Sequence, residues 1–370
     1  MASAKYKRGA DGYFTAHAWD GSYNTDGTKH YKTLRSKKSS GDLEKKVDAF
    51  KKQVESMNQI KKSDVTFMDY SRMWSDTYKA NVEHNTKMMY YNIIEKHFIV
   101  LDGVKLQDIA RIHLQLILNN SEDKKRTQQQ IQMIFKQVIK SAVLDKLFPA
   151  NVMEDIFNNV SPIKYKAPEN RPLTENEKQA VFKADFKEQD KILVYLIYGC
   201  GLRREEVLAL TVFDFNMKKK EVNINKAHEF VNGKPRQKEP KSVNGYRSVP
   251  IPLKVFSAVE SYVSRKKASG KSYLFVMRNG KPVTNSSYDK AWARILKAMQ
   301  AVSNELIVEL TAHVFRHNFC TNLCYQIPKI SIKRIAQLMG DTESMVLNVY
   351  NHMIMEKEDA EGAVNDAMNF

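Results

Sequence analysis

Thr311-Ala312-His313-Val314-Phe315-Arg316-His317 opens a stretch that closes on Val349-Tyr350-Asn351-His352. His313 and Arg316 are three apart, so a helix carries them on one face, with His317 one turn below His313. Val314, Phe315, Phe319 and Leu323 supply the apolar side that seats such a helix in a core. Pro328 interrupts the pattern. Residues 330–339 then read as a second helix stopped by Gly340, and Tyr350 follows on a short segment with Met345, Val346, Leu347 and Val349. A guanidinium, two imidazoles and a phenol gathered in this way suit attack on a phosphodiester.

Working outward, the run Gly201-Leu202-Arg203-Arg204-Glu205-Glu206-Val207 places Arg203 and Glu206 on one helical face, where the carboxylate orients the guanidinium. A plain structural ion pair is the competing reading, and on these residues alone it is favoured. Arg204 and Glu205 point elsewhere, as ordinary surface residues. Residues 221–225 and 246–251 alternate as strands, with Lys234, Arg236, Lys238 and Lys241 between them. Lys241 lies near the base of this hairpin, where a lysine can enter a minor groove or protonate a leaving oxygen. Taken singly, it reads as a solvated charge.

The whole chain narrows the class. Its 370 residues fit two or three domains, and a net charge of +17 with a pI near 9.5 points to a polyanion, nucleic acid first. A merely basic soluble protein is the alternative. The longest apolar run, residues 192–198, is too short to span a bilayer, and the N-terminus lacks the apolar core of a signal peptide. Three cysteines cannot all pair within the chain, which favours a reducing cytoplasm. His313, His317, Cys320 and Cys324 share a helical stripe, but at 1.5 Å per residue its ends lie roughly 16 Å apart. One zinc cannot reach all four, so buried cysteines acting as small apolar residues are the better reading and no metal is expected.

Residues 1–62 read as a unit of their own. It has strands near 12–19 and 30–34 around a Gly/Asn/Asp turn, a basic run over 35–38, and a helix from 42 to about 56 with Leu43, Val47, Phe50 and Val54 on one stripe. Strands flanked by Lys37 and Lys38 suit a DNA groove; a solvated basic surface is an equal alternative. Residues 66–158 are helical in pattern, with candidate helices at 66–80, 85–98, 106–118 and 124–144. This predicts an all-α bundle, with Lys87 at a helix start that favours phosphate. Residues 161–172 read as a linker. Thr174 and Glu177 form a capping box before a helix, and an apolar helix over 190–198 is ended by Gly199 and Gly201.

In order and spacing, Gly-Leu-Arg-x-x-Glu, the hairpin lysine, His-x-x-Arg-His, Leu-Met-Gly and Tyr-x-His resemble the tyrosine recombinases of phages and conjugative transposons. The likeness covers nearly the whole chain. It implies a mainly α fold with small β-sheets. The parts would be a β-sheet-plus-helix arm-binding unit (1–62), an all-α core-binding bundle (63–160), a linker (161–172) and a mixed α+β catalytic domain (173–370) with a C-terminal tail for protomer exchange. It assigns Arg203 and Arg316 to the scissile phosphate, Lys241 as general acid, His313 to phosphate contact and proton transfer, and Tyr350 as nucleophile. Glu206 and His317 support them, and Lys37, Lys38, Lys87, Lys234, Arg236 and Lys238 are the candidate DNA contacts.

Asp341 departs from the family, which carries a donating His or Trp there. An ionised carboxylate has no proton to donate and repels phosphate, so Asp341 is expected to turn away, to be protonated, or to orient Lys241 or His352. The resemblance implies a site-specific DNA recombinase working through a 3′-phosphotyrosine and a Holliday junction, without metal, ATP or cofactor. Its partners would be double-stranded DNA at core and arm sites, a homotetramer on that DNA and accessory DNA-bending proteins, with no membrane. The expected setting is a bacterial, nucleoid-associated cytoplasmic one. Type IB topoisomerase-like relaxation, or a catalytically impaired DNA-binding accessory protein, are the alternatives, with a metal-dependent nuclease more distant.

Overall fold

The computed structural model describes residues 4–23, 28–58, 63–165, 171–240, 243–355 and Met368. It divides into two compact units, Met1–Ala167 and Pro168–Phe370. The turn at 24–27, part of the expected linker, Lys241 and the tail other than Met368 lie outside the described residues.

The first unit begins with an antiparallel hairpin, β1 (Phe14–Tyr23) and β2 (Lys29–Ser36), in register from Phe14↔Ser36 to Trp19↔Tyr31. Strand alternation turns Ala16 and Ala18 inward. Helix α1 (Ser40–Asn58) lays Leu43 and Val47 on Ala16, Phe14 and Leu34. Phe50 on the same stripe stays partly exposed, with the Lys32 ammonium 5.4 Å from its ring centroid. Next come α2 (Phe67–Tyr78), α3 (His84–His97), α4 (Arg111–Asn119), α5 (Lys125–Leu144) and α6 (Ala150–Asn158), closed round a core that includes Phe67, Phe98 and Phe135. The helix expected over 106–118 is broken, because Ile109 and Ala110 are extended between a short 3-10 turn and α4. Sequence reading leaves α6 unassigned within the helical stretch.

In the second unit, α7 (Glu175–Lys183) starts at the expected capping box. Thr174 Oγ1 accepts from the Glu177 N–H at 3.2 Å, and Glu177 accepts from the Thr174 N–H at 2.9 Å. Helix α8 (Glu188–Cys200) is buried all round from Ile192 to Ile197, so it has no polar face and becomes the centre of the core. Gly199 lies inside this helix, and Gly201 ends it with φ +61°. Helix α9 (Arg204–Leu208) follows. Strands β3 (Phe215–Asn216) and β4 (Glu221–Ile224) pair antiparallel. A separate hairpin, β5 (Ala227–Val231) and β6 (Lys234–Lys238), is inserted before β7 (Arg247–Pro250) returns to pair with β4. Only the outer hairpin is expected from the sequence. The inner one turns on Asn232-Gly233, both at positive φ, which is the two-residue turn chemistry that matches strand twist.

Helices α10 (Leu253–Ala268), α11 (Asn285–Gln300) and α12 (Ala312–Cys324) pack against α8. Helix α13 (Ile332–Met339) begins two residues later than expected, because Ser331 is extended and caps it. Tyr350 rides on a full helix, α14 (Glu343–Met355), rather than a short segment. Cys320 and Cys324 of α12, Ile335, Ala336 and Met339 of α13, and Val346 of α14 form a second small core, against which Tyr350 packs.

A Cβ on residue 201 would fall onto the Phe319 ring. Gly201→Ala therefore meets steric overlap on top of the roughly 1–2 kcal/mol penalty of a left-handed non-glycine residue. Denaturant unfolding of the variant is expected to show at least that loss.

Candidate active site

Three arginines converge on the end of α13. Arg247 Nε donates to the Leu338 carbonyl at 2.8 Å, Arg316 to Met339 at 2.5 Å, and Arg203 to Gly340 at 3.1 Å. Consecutive carbonyls left unpaired at a helix C-terminus are natural acceptors for cations. Gly340 makes the approach possible. It sits at φ +60°, and a Cβ there would come within 2.5 Å of an Arg247 nitrogen.

Two carboxylates neutralise the group. Glu206 accepts both terminal nitrogens of Arg247, at 3.0 and 2.7 Å, and Arg203 at 3.0 Å. Arg203 does not share a helical face with Glu206, because it is the residue that precedes α9 and has extended backbone. Its own N–H also donates to Glu206, at 2.9 Å, so a cap and an ion pair are made together. Burial alone would raise the Glu206 carboxyl; the hydrogen bonds and charge of Arg247 outweigh that and hold it below its ordinary value.

Asp341 is the second carboxylate. Its Oδ2 accepts from Arg203 at 2.8 Å and from Arg316 at 3.1 Å. The carboxylate thus binds both guanidiniums directly, which corrects the expectation that it turns away. The charges of the two arginines draw it in. The side chains of Lys241 and His352 lie outside the described residues.

Arg316 is buried, with its other terminal nitrogen on the Gly201 carbonyl at 2.8 Å. Burial, then the nearby Arg203 charge, lower its guanidinium to about 10, so it remains charged at neutral pH. His313 lies one turn before it on α12. Partial burial, then the charges of Arg316 and Arg203, push its imidazole below the ordinary 6.5, while Asp341 and Glu205 oppose that shift. His317 is one turn further along and half-buried.

Arg203, His313 and Arg316 line one cleft of about 540 Å³. Arg204 lines it too, and is not the ordinary surface residue expected. Its guanidinium lies 5.3 Å from the Phe230 ring centroid and 5.2 Å from that of Tyr288, and donates to Asn285 at 3.2 Å. Arg247 is the residue that sequence reading misses. Its signal was the period-two alternation of β7, which puts residue 247 on the same inward face as buried Val249.

The other candidates are scattered. Lys234, Arg236 and Lys238 share one face of β6, but Glu229 opposite takes Arg236 at 2.5 Å and Lys238 at 3.8 Å, leaving Lys234 the more open charge. Lys37 is exposed, its ammonium 4.9 Å from the Tyr13 ring centroid, and Lys38 and Lys87 are exposed. Among the described residues no three His, Cys, Asp or Glu side chains come together to hold a metal ion, and no helix is long and apolar enough to cross a membrane.

The family model described as "Phage integrase family" matches residues 171–357, about half the chain and the whole of this arginine cluster. The chain belongs to the phage integrase family. A second model, the N-terminal SAM-like domain of phage integrases, matches residues 66–120 of this integrase. The chain is similar to the tyrosine recombinase XerA of Pyrococcus furiosus, 28% identical over 51% of this chain and 60% of that protein. The aligned stretch makes up 60% of that protein and 49% of the Tn916 transposase of Enterococcus faecalis, to which this chain is also 28% identical. Among solved structures, the Tn1549 transposon integrase in complex with transposon right end DNA superposes with a TM-score of 0.66 at 20% identity, covering 80% of this chain and 100% of that one. A lambda integrase tetramer bound to a Holliday junction does so at 0.59 and 15% identity, covering 91% and 92%. The integrase fold, mainly helical with small antiparallel sheets, is thereby shown.

Two outcomes test this geometry. Glu206→Ala leaves two guanidiniums without their buried partner, so the variant should lose roughly 3–5 kcal/mol in denaturant unfolding. His313 binds its proton less readily folded than unfolded. The stability it contributes is therefore complete above the unfolded value of 6.5 and is lost as pH falls below it. Proton NMR should find the His313 ring titrating below 6.5, and His313→Asn should flatten that part of the stability–pH curve.

Proposed function

We propose that this integrase is a site-specific DNA recombinase that moves a mobile element through a 3′-phosphotyrosine intermediate. The observation that carries the reading is the meeting of Arg203, Arg316 and His313 in one cleft, with Tyr350 packed on the small core shared by α12, α13 and α14. In this reading the Tyr350 hydroxyl attacks the scissile phosphorus and gives up its proton as the P–O5′ bond breaks. The His313 imidazole assists by accepting that proton. The leaving 5′ oxygen takes a proton from Lys241, assigned by resemblance. Arg203 and Arg316 carry the charge that grows on the phosphate oxygens, while Glu206 and Arg247 keep Arg203 in place. His317 supports the same helix. The phosphotyrosine conserves the bond energy, so rejoining requires no ATP.

Residues 1–62 serve in this reading as the arm-binding unit, with Lys37 and Lys38 on phosphate. Residues 63–160 are the core-binding bundle, with Lys87 at a helix start, and residues 161–172 link it to the catalytic domain at 173–370. Lys234, and less strongly Arg236 and Lys238, contact the duplex beside the cleft. The solved relatives, one on transposon end DNA and one a tetramer on a Holliday junction, support a homotetramer on double-stranded DNA. The resemblance adds tail exchange between protomers, accessory bending proteins and a bacterial cytoplasmic setting. One observation favours a second reading. Asp341 fills the space between the two arginines, as a catalytically silent DNA-binding protein would tolerate.

A nicked duplex carrying the element's end separates the two. The wild type is expected to give a denaturant-resistant protein–DNA adduct in EDTA, absent in Tyr350→Phe. Arg203→Ala and Arg316→Ala should each slow its formation by roughly 3–4 kcal/mol, or about 10²–10³-fold. A bound duplex that never yields the adduct selects the silent protein.

A further inference from the structure

The cluster holds three guanidiniums and two carboxylates, and the two carboxylates are not equivalent. Glu206 is 7% exposed and is tied by three side-chain hydrogen bonds and a backbone one. Asp341 is 27% exposed, and one oxygen alone serves both Arg203 and Arg316. Its backbone is fixed independently of that oxygen, since the Asp341 N–H donates to the Ala336 carbonyl at 3.0 Å and Gly340 supplies the left-handed turn. The side chain can therefore leave by rotation while the end of α13 stays folded.

We infer that Asp341 is a displaceable internal anion. In the DNA-free protein its carboxylate holds Arg203 and Arg316 together, and it surrenders that position to a phosphate oxygen of the substrate. The inference rests on the proposed function for the identity of that phosphate. The exchange suits the charges, because a phosphodiester and a carboxylate each carry one negative charge. It also suits the geometry: two terminal guanidinium nitrogens already converge on one oxygen at 2.8 and 3.1 Å, the planar recognition that arginine offers to either group. Without a resident anion the two buried or half-buried cations would repel one another. With one, the site is assembled beforehand but closed to weak competitors, and only a phosphate held by many other contacts along the duplex displaces it.

The test uses the full chain and inorganic phosphate as probe, comparing wild type, Asp341→Asn and Asp341→Ser by calorimetry. The basic surface common to all three cancels in the comparison. Both variants are expected to bind phosphate at least about tenfold more tightly, the factor that one charge-assisted hydrogen bond supplies. They should also melt at lower temperature without phosphate and regain that loss when it is added. Phosphate affinity equal to or weaker than wild type overturns the inference. So does failure of both variants to fold with or without phosphate, which would make the carboxylate a fixed strut. This readout needs no DNA chemistry. Tighter phosphate binding with no Tyr350-dependent adduct would reject the proposed recombinase and keep the anion site. An adduct with unchanged phosphate affinity would do the reverse.

Discussion

The stacking of Arg247, Arg316 and Arg203 on three successive carbonyls at the end of α13 is the constraint around which the second unit is arranged. Like charges this close, two of them buried, are costly to assemble. Several features share that cost: the negative end of a helix dipole, a carboxylate from the start of α9, and a second from the residue after Gly340. Each depends on a backbone that brings it within reach. Gly340 has to be left-handed and bare of a Cβ so that Arg247 can cross it. Gly201 has to end α8 sharply, and its carbonyl then anchors Arg316.

Pre-assembly is what this arrangement contributes to chemistry. A guanidinium that must be gathered from solvent loses side-chain freedom at the moment of reaction; one already hydrogen-bonded on several sides does not. Arg203 differs from the other two in remaining 36% exposed. It meets the solvent side of the cleft, while Arg247 stays inside as its support. Arg247 holds from inside, Arg203 opens to the solvent side, and buried Arg316 reaches the same cleft.

Local order was legible in the sequence wherever a signal lay within a few residues. The Thr174–Glu177 cap, the apolar α8, the helices carrying His313 and Ile335, and the pairing of Arg203 with Glu206 all follow from short spacing. What depended on long-range approach was not. Arg247 and Glu206 are 41 residues apart, and no periodicity couples a strand residue to a helix start in another part of the chain. Arg204 looked like a surface residue because the rings that flank it, Phe230 and Tyr288, come from distant elements. Asp341 could be recognised as unusual, but its partners were fixed only when α8, α12 and α13 came together. The break at Ile109–Ala110 belongs to a smaller class, in which tertiary packing overrides a continuous apolar stripe.

Asp341 has a second oxygen. While Oδ2 engages the arginines, Oδ1 accepts the Thr342 N–H at 3.1 Å, and Thr342 in turn opens the helix that carries Tyr350. One carboxylate therefore touches both Arg203 and Arg316 and the root of the helix that carries Tyr350, within the three-residue connection from Gly340 to Thr342 between α13 and α14. A rotation of that side chain would break hydrogen bonds at both ends. In the exchange inferred above, the departure of the carboxylate and the setting of the tyrosine's helix would be read by the same group.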